Sequence, residues 1–233
     1  MDPRTLSRPQ DQTSESNFIS NVYRWMSIGL FVSMMGSLWL KSQPALQQLL
    51  FTPPQFYFFG LIIAELALVL WLSMAARSMS AGLATGLYLA YSFLNGITLF
   101  SILFYYTTTS VVSTFAITAG TFGFFSIYGA TTHKDLTSVG ALCGMGLLGV
   151  IIASVVNIFL KSSVMGWVLT FVGIAVFLGL IAYDTQKLKA IHAMGFESEE
   201  SKKRVAILGA LTLYLDFINL FLLLLRVFGR RRD

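Results

Sequence analysis

The chain has 233 residues, 55% of them apolar, with a mean hydropathy of +0.71 and a formal net charge of +5. Charged residues make up only 12% and the apolar runs leave little chain for a soluble domain, so a water-soluble fold is excluded and the basic balance speaks of membrane topology before partners; nucleic acid is not expected among them. The lone cysteine, Cys143, excludes a disulfide within the chain and reads as a small buried apolar side chain.

Residues 1–21 are polar and lack apolar periodicity, which predicts a short flexible tail and no cleavable signal peptide. Seven apolar segments follow: Val22 to Leu40, Phe56 to Ala76, Ala81 to Tyr105, Ser110 to Gly129, Val139 to Leu160, Val164 to Tyr183 and Val205 to Phe228. Ser78 to Thr132 contains no Asp, Glu, Lys or Arg, far more than the ~20 residues that one helix needs to cross, so two spans share it. A membrane barrel would show segments of about ten alternating residues, and none occurs here.

The expected class is therefore an all-α integral membrane protein, a seven-helix domain over 22–229 closed by a basic tail at 230–233. Pro53-Pro54 marks the entry to the second span, and the longest connection runs from Thr185 to Arg204. Gly82 and Gly86, then Gly140, Gly144, Gly146 and Gly149, recur at spacings that suit close helix packing in lipid.

With seven crossings, ten of the sixteen basic residues fall on the side of the amino terminus, which puts that terminus in the cytoplasm. Four of the other six cluster at the carboxyl end, so charge alone favours six crossings. The length of Val205 to Phe228 favours the seventh. His133 and His192, the only histidines, are read as isolated loop residues, which excludes a histidine metal site.

Three acids lie within or beside the spans: Glu65, Asp184 and Asp216. A carboxylate at the centre of a membrane helix costs about 2.5–3.5 kcal/mol on the insertion scale, so such residues face a bundle interior, a partner or a water path. Glu65 needs a cation or a proton, and Arg24, Arg77 and Arg226 are candidates by depth. Asp216 lies near the midplane, roughly 16 Å into its segment at 1.5 Å per residue. Asp184 ends its segment, so the two aspartates meet only if the sixth helix continues past Gln186, as Leu188 and Ile191 allow, with Gly195 as its stop.

The stretches AYDTQKLK, LGALTLYLDFINLFLLLLRVFG, TFGFFSIYGATTHKDLTSVGALCGMGLLGVIIASVVNIF and YRWMSIGL carry a resemblance: from Tyr23 to Gly229 the chain resembles the Bax inhibitor family, also called the transmembrane Bax inhibitor motif family. The resemblance implies seven helices with the last enclosed by the others, and a pH-sensitive calcium leak in which Asp184 and Asp216 share a proton. It further implies a basic latch, for which Arg77 is the candidate against a plain positive-inside anchor. It also suggests a supporting pair of Glu65 with Arg226, against snorkelling of Arg226 to the interface.

Elementary chemistry makes the leak workable. Two carboxylates a few ångströms apart in a low dielectric cannot both ionise cheaply, and their protons belong to the pair. Calcium takes six to eight oxygens, so two carboxylates and water form a transient stop, with calcium as permeant ion and no tightly bound cofactor. Other classes stay open: a non-conducting regulator that binds another membrane protein, and an intramembrane aspartyl protease. The protease is disfavoured because Leu213-Tyr214-Leu215 stands where its Gly-x-Gly frame belongs. A proton-coupled transporter would show paired interrupted helices, and none is visible. The host membrane expected is a bacterial plasma membrane.

Overall fold

A computed structural model describes residues 9–75 and 79–232. The helices are α1 (Pro9–Lys41), α2 (Pro44–Phe51), α3 (Phe56–Met74), α4 (Ala81–Leu99), α5 (Ile102–Tyr105), α6 (Thr108–Thr131), α7 (Thr137–Leu160), α8 (Ser163–Ala193) and α9 (Glu199–Phe228). The described residues contain no strand, only an isolated bridge between Tyr106 and Arg231, so the all-α expectation holds. With no water in the hydrocarbon, helices satisfy each backbone group within their own segment.

Among the described residues, six stretches are long and apolar enough to cross a membrane: Phe56–Met74, Ala81–Tyr105, Thr108–Thr131, Thr137–Leu160, Ser163–Ala193 and Glu199–Phe228. The expected first span, Val22 to Leu40, is helical throughout α1, but Arg24 and its serines and glycines dilute it below the others. The last helix is the most enclosed, with 67% of its apolar window buried against 11–33% elsewhere.

Three expectations need correction. The polar tail drawn over 1–21 is helical from Pro9 onward, because Phe18 gives that stretch an apolar anchor: it is 2% exposed and stacks on His192, ring centroids 5.2 Å apart. His192 is accordingly the last turn of α8, not a solvated loop residue. The long connection after Thr185 shrinks to residues 194–198, since α8 runs on to Ala193. Gly195 stops it at φ +81°, a left-handed conformation that favours glycine, with its N–H bonded to the His192 carbonyl at 3.0 Å.

The described chain forms two compact units. Unit 1 comprises the residues up to Phe104 with Ile191–Tyr214. There α1 and α4 cross so closely that a Cβ on Gly96 would collide with the Ser33 carbonyl, and one on Gly36 with the Phe93 carbonyl. The glycines singled out from spacing are mostly elsewhere: Gly82, Gly86, Gly144 and Gly149 face open space. Spacing alone does not say which face of a helix meets a neighbour.

Unit 2 comprises Tyr105–Ala190 with Leu215–Asp233. Helix α9 runs antiparallel to α6, with Phe115 against Phe217 and Phe221 at centroid distances of 5.1 and 6.0 Å, and Phe122 against Phe217 at 5.6 Å. Helices α6 and α8 touch backbone to backbone where a Cβ on Gly129 would meet the Ala182 carbonyl. The basic tail is tied down: the Thr107 amide donates to the Arg230 carbonyl at 3.0 Å and the Arg232 amide to the Tyr105 carbonyl at 2.9 Å.

Candidate functional site

Each residue of the Tyr183-Asp184-Thr185-Gln186 run has its own task in unit 2. Successive helical residues turn by 100°, so four in a row sample the whole circumference of α8. The Tyr183 ring packs flat onto Gly140 of α7, where a Cβ would collide with it. Thr185 is fully buried. Gln186 clamps the connection before α7, accepting from the Leu136 amide at 2.8 Å and donating to the Lys134 carbonyl at 2.8 Å. Two such bonds contribute about 0.5–1.5 kcal/mol each. Lys189 adds a third tie by donating to the Ala130 carbonyl at 2.6 Å.

This clamped face presents Asp184 to α9, where its carboxyl neighbours that of Asp216. The condition set from sequence is met: α8 extends nine residues past Asp184 (193 − 184), which places the carboxyl roughly 14 Å from the helix end. Asp216 is 5% exposed, and its Oδ2 has no hydrogen-bond partner. Asp184 is half-buried, with Lys187 acting on it from the next turn and lying over the Tyr183 ring at 5.8 Å.

The chemistry follows from the donor inventory. An ionised carboxylate only accepts, so two neighbouring carboxyl groups can hydrogen-bond to each other only when one of them keeps a proton. Two such neighbours can hold one proton between them. Among the described residues no three His, Cys, Asp or Glu converge as a metal cage.

The other buried acid sits in unit 1 and is satisfied by neutral donors. Glu65, 7% exposed, accepts from the Asn95 amide at 3.3 Å and from the Thr98 hydroxyl. Asn95 in turn accepts from the Tyr214 hydroxyl at 2.9 Å, and that hydroxyl lies 2.7 Å from Ser33 Oγ. One chain of hydrogen bonds thus joins α3, α4, α9 and α1. Sequence reasoning missed Ser33, Asn95, Thr98 and Tyr214. The signal was present in Tyr88, Ser92 and Asn95, spaced i, i+4, i+7 on a span that carries no charge.

Of the remaining candidates, Arg226 belongs to unit 2, where its guanidinium lies over Trp167 at 6.0 Å from the ring centroid. Of the suggested supporting pair, Glu65 belongs to unit 1 and Arg226 to unit 2. Arg77 lies outside the described residues.

Comparison with known proteins covers nearly the whole chain. Residues 15–233 match the family described as Inhibitor of apoptosis-promoting Bax1. The Inner membrane protein YbhL of Escherichia coli is 46% identical over 99% of this chain and 98% of its own. A protein of Borreliella burgdorferi is 42% identical over 96% of each chain, and a membrane protein of Streptococcus pyogenes 36% identical over 95% of this chain and 96% of its own. A multi-pass membrane protein with this match and these relatives belongs to the Bax inhibitor family.

Proposed function

We propose that the Asp184–Asp216 pair is the protonation gate of a pH-sensitive calcium leak. The observation that carries this reading is the juxtaposition of two carboxyl groups, one of them almost wholly buried and with an oxygen left unpartnered. With its proton in place the pair is closed on itself. Without it, two neighbouring negative charges lie in a poor solvent for charge, and a divalent cation is a matching counter-charge. Calcium is cargo here, held by two carboxylates and water for long enough to pass and too weakly to stay.

The same reading has α1 as a seventh crossing, the amino terminus in the cytoplasm, and the protein in an inner membrane like its Escherichia coli relative. Arg77 serves as the latch on the ionised pair. The protein is a conduit, not an enzyme. Binding to a second membrane protein is the alternative, and the absence of any flux would favour it.

Calcium flux into vesicles holding the purified protein and a calcium-sensitive dye tests the reading. Flux that varies with pH in the native protein and is flat with pH in Asp216→Asn is the expected result; no flux at any pH rejects the leak. Arg77→Ala is expected to raise basal flux. Labelling a cysteine placed at Asp233, in intact and broken cells, reports the topology: protection by the intact membrane would contradict the seventh crossing.

A further inference from the structure

At the end of unit 2 where α7 closes and α8 opens, Arg226 lines an open cavity of about 240 Å³ with Ser154 and Asn157 of α7 and Gly166 and Thr170 of α8. Its guanidinium is held against the Trp167 ring, and its Nη2 overhangs Gly166 so closely that a Cβ there would collide with it. Asn157 has only one orientation that works. Its Oδ1 accepts from the Ser162 amide at 3.1 Å, so the amide nitrogen turns the other way, toward the space above Gly166. A Cβ on Gly166 would lie 3.6 Å from that nitrogen, so the Arg226 and Asn157 donors both stand over the Gly166 backbone.

No described acid of unit 2 answers them. The described acids of unit 2 are Asp135, Asp184 and Asp216, and none lines the cavity. Arg226 stands two residues before the end of α9 (228 − 226), Asn157 three before the end of α7 (160 − 157) and Gly166 three after the start of α8 (166 − 163). At 1.5 Å per residue all three lie within about 5 Å of a helix end, the depth of lipid headgroups. The start of α8 adds the positive end of a 31-residue helix to the field at Arg226.

We propose that this cavity binds a phosphate group. A guanidinium fork meets two phosphate oxygens at once, the Asn157 amide supplies a third donor, and the Ser154 hydroxyl lies on the same wall. The phosphate comes from a lipid headgroup or from free inorganic phosphate, and the two sources are separable.

The test is native mass spectrometry of the full chain in detergent. The probes are a short-chain phosphatidylglycerol, the matching diacylglycerol without phosphate, and inorganic phosphate. The native protein is expected to retain phosphatidylglycerol at least about tenfold better than Arg226→Gln, the loss of one charge-assisted interaction. Diacylglycerol is expected to show no such difference. Retention of inorganic phosphate with the same dependence on Arg226 would assign the site to the free ion; retention of the lipid alone would assign it to the headgroup. Ser154→Leu, which fills the cavity and leaves Arg226 in place, must lower retention too, and decides the matter if Arg226→Gln does not fold. Equal retention by the native protein and either folded variant overturns the proposal.

Discussion

The two regions around α9 treat a buried acid in opposite ways. In unit 1, Glu65 is met by Asn95 and Thr98 and tied through Tyr214 to Ser33, so its carboxylate is satisfied by neutral donors. In unit 2, Asp216 meets another acid and keeps an oxygen without a partner. Tyr214 belongs to the unit 1 network and Asp216 to the unit 2 pair, so each acid is described by the neighbours of its own unit. A buried acid met by neutral donors is held in place by them; one that neighbours a second acid is the kind that the proposed gate needs.

The largest expected effect breaks the comparison at its functional side. Asp216→Asn abolishes the pH dependence of calcium flux in vesicles, whereas Glu65→Gln, which keeps the shape of the unit 1 network, leaves that dependence in place. Loss of pH dependence in both variants would mean that the two regions are one switch.

Next in size is the stability cost of emptying the neutral network. Glu65→Ala strands the Asn95 amide and the Thr98 hydroxyl, at about 1–3 kcal/mol per group left buried and unbonded, and is expected to lower the thermal midpoint in detergent well below that of Glu65→Gln. Equal midpoints for the two variants would show that the network is not what holds Glu65.

A smaller effect is expected at the clamp on the aspartate pair. Gln186→Ala removes two hydrogen bonds to the connection before α7, about 0.5–1.5 kcal/mol each, and is expected to shift the pH profile of flux as well as the midpoint, because the clamp sets the facing of Asp184. A changed midpoint with an unchanged profile would confine Gln186 to a structural role.

The smallest effect lies in the loop. Asp135 accepts from the Thr137 amide at 2.9 Å, and hydrogen bonds from Thr137 hold its carboxyl below the usual range. A depressed folded-state value stabilises above the ordinary carboxylate range and loses that contribution as pH falls through the lowered value. Asp135→Ala therefore narrows the midpoint difference from the native protein on acidification, and a difference that grew instead would reverse the sign.

Much of this was legible in the sequence because the bilayer permits so few solutions. Long uncharged runs have to be helices, and acidic residues within them stand out by cost alone, which is why Asp184, Asp216 and Glu65 were found without coordinates. The extension of α8 past Gln186 was readable from Leu188, Ile191 and Gly195. What stayed hidden depends on which way a face points. Glycine spacing singled out Gly82 and Gly86, which face open space, and passed over Gly96 and Gly129, where backbones meet. The partners of Glu65 were missed for the same reason: Asn95 and Tyr214 are ordinary residues until the fold brings them to it.

The central claim is that Asp184 and Asp216 hold one proton between them, and infrared difference spectroscopy of the purified protein reads it directly. Across the pH range in which flux varies, the account predicts a protonated-carboxyl band in the native protein that both Asp184→Asn and Asp216→Asn alter and that Glu65→Gln leaves in place. A carboxyl region that neither aspartate substitution changes would contradict it.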